Sequence, residues 1–113
     1  MAGTSLTKGQ ALSQYQETQS LVEADLVGIN LSGEDLSGAD FSRANLSGTN
    51  LSGCTLHEAR FHEADLGGAD LSGAHLDKAY LVAANLLGAN LKGASLVWAF
   101  LSGANVGGAD FSD

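Results

Sequence analysis

Ala69-Asp70-Leu71-Ser72-Gly73 and, twenty residues on, Ala89-Asn90-Leu91-Lys92-Gly93 hold the pattern that decides the fold. A leucine or phenylalanine, once a valine, recurs at every fifth residue from Leu21 to Phe111, nineteen times without interruption. The frame around it is near-constant: Ala in most repeats two positions before, Asp or Asn in most one before, and often Ser then Gly after. Period five fits neither common element: it would spiral around a helix, which repeats at 3.6, and alternate faces of a strand, which repeats at 2. It fits a solenoid in which each pentad makes one short extended side and one turn. Ala and Leu lie two apart and point inward together, while the Asp or Asn between them points out. Gly at the second central turn position suits a type II turn, where φ is positive.

The number of sides per coil is legible in the turn glycines. Sorted by every fourth pentad, one column reads Gly28, Gly48, Gly68, Gly88, Gly108 and the next Gly33, Gly53, Gly73, Gly93, Asp113. The other two are mixed: Gly38, Glu58, Lys78, Trp98, and Glu23, Arg43, Glu63, Ala83, Gly103. This segregation predicts a square coil of twenty residues, a little under five coils in all. Phe41 and Phe61 fall twenty apart, so their rings are expected to stack inside. The expected division is an N-terminal cap over residues 1–20 and a β-helix over 21–113. In the cap, Thr7 to Gln10 reads as a capping box opening a short helix, with Ala11, Leu12 and Tyr15 on one face. Glu34 occupies an inward Ala site of the first coil, where Lys8 or backbone donors are expected to reach it.

Composition removes several classes of function. At 113 residues the chain is one slim domain. No run of about 18 apolar residues suggests a membrane span. No basic stretch followed by an apolar run suggests a secretory signal, so a cytoplasmic location is expected. Thirteen acidic against five basic residues give a net charge of −8, which disfavours direct binding to nucleic acid. Cys54 sits at an Ala position and is expected to be a buried structural thiol.

These repeats resemble the pentapeptide repeat family, with its A(D/N)LxX consensus, over about residues 19–113. Leu12 and Tyr15 before the first repeat look like the helical lead-in of cyanobacterial members. The resemblance implies an all-β fold, a right-handed quadrilateral parallel β-helix, and dimerisation through the C-terminal coil, as in some relatives. The family's quinolone-resistance branch binds DNA gyrase as a mimic of DNA, so mimicry of DNA toward a topoisomerase or another DNA-binding protein is the alternative function. Charge argues against it: duplex DNA of 20–25 Å carries roughly 12–15 charges.

Departures from the consensus gather on two adjacent sides, between His57 and Phe100. Many fit drift at tolerant surface positions. One outward column is more directed, running Asp40, Arg60, Tyr80, Phe100, with Val82, Val97 and Trp98 expected beside it at a shared corner. Tyr80, Val82, Val97, Trp98 and Phe100 are therefore the candidate protein-contact patch. His57 and His62 lie on different sides with Arg60 between them, so no metal site is expected. Nothing in the sequence marks a catalytic residue or a cofactor site. The expected function is a non-enzymatic interaction module for an unidentified protein partner, or a self-associating structural unit.

Overall fold

A computed structural model describes residues 5–113; residues 1–4, part of the expected 1–20 cap, lie outside the described residues. The chain forms helix α1, Lys8–Thr18, and then winds into a β-helical solenoid. Thr7 caps α1: its hydroxyl accepts the Gln10 N–H at 3.1 Å, and the Gln10 side chain accepts the Thr7 N–H at 2.9 Å. Gln19 ends it in the left-handed conformation, φ 58°, with its N–H on the Tyr15 carbonyl. Ala11 is buried, Leu12 and Tyr15 pack on the core, and the Tyr15 hydroxyl donates to the Ser37 carbonyl at 2.7 Å. Apolar contacts and a tyrosine anchor thus fasten α1 to the first coil, whose outer backbone groups face no earlier coil.

From Ser20 onward, parallel bridges join residues twenty apart, four bridge positions to each coil. Side one carries Ser20, Asp40, Arg60, Tyr80 and Phe100; side two carries Asp25, Asn45, Asp65, Asn85 and Asn105. Side three carries Asn30, Asn50, Asp70, Asn90 and Asp110; side four carries Asp35, Thr55, His75 and Ser95. Each side contributes one isolated bridge rather than a continuous strand. Only the Ala, Asp or Asn, and Leu of a pentad are extended before the turn begins, so no side is long enough for a longer ladder. Backbone pairing still runs coil to coil: the Leu46 N–H donates to the Asp65 carbonyl at 2.7 Å, and the Asp65 N–H to the Ala44 carbonyl at 3.0 Å.

Each turn closes with a bond such as Ala44 N–H to the Phe41 carbonyl, 2.9 Å. Only the second central residue has positive φ, as at Gly48 (64°), which is the signature of a type II turn. The leucines at every fifth position from Leu21 to Leu91 are 0–1 % exposed, and an Ala ladder is buried beside them. Phe41 and Phe61 stack with centroids 5.0 Å apart and planes 7° apart. Polar atoms at inward Ala sites are satisfied locally: the Thr49 hydroxyl donates to the Leu26 carbonyl at 2.6 Å, and the Cys54 thiol to that of Leu31 at 2.9 Å. Burial pushes the Cys54 thiol pKa up, as suits an inert structural cysteine. Glu34 is only half-buried, and its carboxylate meets Lys8 Nζ at 3.4 Å. Toward residue 113 the core residues emerge: Leu96 and Leu101 are half-buried, Val106 and Phe111 exposed.

Candidate functional site on two decorated sides

The preference for Asp or Asn at the bridge position has a local cause. In twelve repeats the side-chain Oδ1 accepts the N–H of the residue two further on, as from Asp70 to Ser72 at 2.9 Å. From Ser20 onward seven bridge positions lack Asp or Asn, and all seven lie on sides one and four: Ser20, Thr55, Arg60, His75, Tyr80, Ser95 and Phe100. The corners that end these same two sides hold the repeat residues that take positive φ without being glycine. They are Glu23, Arg43, Glu58, Glu63, Lys78, Ala83 and Trp98, at 56–62°. A left-handed backbone costs a residue with a Cβ about 1 kcal/mol, and a lost cap costs a comparable amount. Sides one and four therefore give up local stability that sides two and three keep.

What stands on side one is an outward column with a stacked aromatic pair. Tyr80 and Phe100 lie with ring centroids 5.1 Å apart and planes 6° apart, and they are 39 % and 50 % exposed. Between this column and the parallel one of His62 and Val82 runs a groove of about 350 Å³, lined by Ser42, Arg60, His62, Tyr80 and Val82. Val97 and Trp98 are exposed at the corner where the chain enters side one; Trp98 is 76 % exposed. The expected patch is thus regrouped. Val82 follows Tyr80 in its pentad and stands across the face from Val97 and Trp98, half-buried in the groove wall. A shared corner for all three misjudged which end of a five-residue side each occupies.

Side four gathers polar groups that the sequence did not connect. His57 Nε2 lies 3.5 Å from Asp77 Oδ2, and His57 meets His75 edge-to-face at 6.1 Å between ring centroids. The Ser95 hydroxyl donates to Asp77 Oδ1, which also accepts the Val97 N–H at 3.2 Å. The bond from Ser95 chiefly holds the Asp77 carboxyl below the usual carboxylate range, helped by the Val97 amide and the nearby imidazoles. The signal was present in the sequence, since His57 and Asp77 are twenty apart. Ser95 here donates to the Asp77 carboxylate rather than to an imidazole, so these residues do not form the serine–imidazole–carboxylate order of a nucleophilic triad. Among the described residues no group of three or more His, Cys, Asp and Glu side chains is placed to hold a metal ion. None of the described helices is long and apolar enough to cross a membrane.

Comparison with known proteins agrees with this architecture. The pentapeptide repeats family model (8 copies) matches residues 20–57, 59–96 and 74–113. A pentapeptide repeat protein (Rfr23) from the cyanobacterium Cyanothece 51142 superposes with a TM-score of 0.76 at 27 % identity, covering 89 % of each chain. One from Nostoc Pcc 7120 is 33 % identical with a TM-score of 0.69, covering 91 % of this chain and 74 % of that one. One from the thylakoid lumen of Arabidopsis thaliana is 36 % identical with a TM-score of 0.54, covering 98 % and 74 %. No curated protein matches the sequence. With its repeats matched from residue 20 to residue 113, the chain belongs to the pentapeptide repeat family.

Proposed function

We propose that this chain is a non-enzymatic interaction module: a rigid, acidic, right-handed and four-sided solenoid that docks a protein partner through sides one and four. One observation carries this function. The sides that forgo side-chain caps and glycine turns are the sides that expose Tyr80, Phe100, Val97 and Trp98. Backbone strain that the scaffold does not require, set beside exposed aromatics, marks surface kept for contact. A cytoplasmic location belongs to this proposal and rests on the sequence expectation alone. Mimicry of DNA fits less well, because even the longest dimension of the molecule, 32 Å, corresponds to about 19 phosphate charges of duplex, against a net −8.

The test is affinity capture from native lysate with the wild-type chain and with Tyr80→Ser/Phe100→Ser. Proteins retained by the wild type are expected to fall at least tenfold with the variant, which replaces only exposed rings and should melt as the wild type does. Equal recovery of the same proteins by both would remove the docking function. A second mode, pairing of two copies through the C-terminal coil, is favoured by the exposure of Val106 (42 %) and Phe111 (43 %). Light scattering over a concentration series is expected to show a dimer that Phe111→Ser dissociates; a monomer at every concentration would refute it.

A further inference from the structure

We propose that the Arg60–Tyr80–Phe100 column, which borders the groove of side one, receives an α-helix of the partner lying along the solenoid axis, with a carboxylate over Arg60 and apolar side chains over Tyr80 and Phe100. This inference rests on the docking function above and names the chemistry of the occupant. Arg60, Tyr80 and Phe100 are consecutive rungs of one bridge column, Arg60↔Tyr80 and Tyr80↔Phe100. Their spacing is that of the stacked rings, 5.1 Å. An α-helix places successive side chains of one face about 5.4 Å apart per turn, whereas an extended strand repeats at about 6.7 Å. Over two rungs the helix drifts by well under about 1 Å and the strand by about 3 Å.

Backbone chemistry points the same way. The Tyr80 N–H is bonded to the Ala59 carbonyl, and the Tyr80 carbonyl accepts the Phe61 N–H. A strand laid on this side would find no main-chain partners, so strand addition gains nothing here. A helix arrives with its own backbone satisfied and needs only side-chain contacts.

Charge then sets the order of those contacts. Arg43 is paired with Glu23 at 3.5 Å and His62 with Glu63 at 3.6 Å. Arg60 has no carboxylate within 4.0 Å among the described residues. An unpaired guanidinium at one end of an aromatic ladder selects a carboxylate followed by apolar groups, a local attraction that acts against the molecule's net charge of −8.

Three fluorescein-labelled peptides of one composition test this by anisotropy. The first is an alanine-rich helix with Glu, Leu and Phe at i, i+4 and i+7. The second scatters the same residues around the helix, and the third sets them at alternate positions of a strand-forming sequence. The first is expected to bind, and to weaken at least tenfold with Arg60→Glu and with Tyr80→Ser/Phe100→Ser. Lys92→Glu, an equal charge change on the opposite side, should leave it unaltered. Circular dichroism confirms that each variant is folded. Absence of binding by the first peptide, indifference to Arg60→Glu, or equal binding by the scattered peptide would each overturn the helix assignment. Strand-peptide binding that is lost with Tyr80→Ser/Phe100→Ser would also overturn it while leaving the docking surface in place; that surface falls only with the capture experiment.

Discussion

Phe61→Ala is expected to lower the stability of this protein by about 3–5 kcal/mol in denaturant unfolding. Phe61 is fully buried, stacked on Phe41 at 5.0 Å, with Leu81 occupying the same inward position one coil on. The solenoid cannot close over the lost ring. Its coils are held at fixed spacing by bonds such as Phe61 N–H to the Tyr80 carbonyl and Phe41 N–H to the Arg60 carbonyl, each 2.7 Å. A cavity that cannot collapse places the loss toward the upper end of the range. Set against a total of about 5–15 kcal/mol for ordinary domains, the variant would be near the edge of folding. Phe61→Leu, which installs the side chain that fills this site in most coils, should cost less than about 1.5 kcal/mol. A near-neutral Phe61→Ala would contradict the inward stack.

The second large effect separates two positions that the repeat treats as equal. Glu34 and Cys54 occupy the same inward site of side four, one coil apart. Glu34 lies in the first coil, half-buried, with Lys8 of α1 3.4 Å away. Cys54 is wholly enclosed and its thiol bonds the Leu31 carbonyl. Glu34→Ala is therefore expected to change stability by less than about 1 kcal/mol, since an ion pair this exposed contributes little. Cys54→Glu buries a carboxylate without a cation and should cost about 4 kcal/mol or more. The sign of its pH dependence is fixed. Burial raises the folded-state pKa of the introduced acid above the unfolded value of about 4.3, so the folded state binds the extra proton. The variant's stability deficit then grows as pH rises above that value and shrinks in acid. Urea unfolding at two pH values measures it, and a deficit that is small or independent of pH would contradict enclosure of the site.

The inward half of the molecule was legible because it is governed by periodicity alone. The leucines and phenylalanines at every fifth position from Leu21 through Leu91 point in because each is followed by a two-residue turn and preceded by one extended pair. The twenty-residue sorting of the glycines anticipated bridges such as Asp25↔Asn45. The capping box at Thr7 and the approach of Lys8 to Glu34 were legible too, one from local spacing and the other from a charge at an inward site. Two expectations met a different structure. The sides hold isolated bridges instead of strands, since three extended residues are too few for more. Val82 also belongs to the groove wall opposite Trp98.

The sequence by itself determined the coil: its period, its apolar interior and the two sides on which consensus residues give way. It did so because a pentad's conformation depends on neighbours within five residues. Only the tertiary structure decided what the exceptional residues do together. It seated Arg60, with no carboxylate within 4.0 Å among the described residues, below two stacked rings, opened a groove between the Tyr80 and Val82 columns, and joined Ser95 and His57 through Asp77. Those contacts form between side chains one coil apart, where rotamer, lean and pairing choose the partner, and a five-residue period is blind to all three.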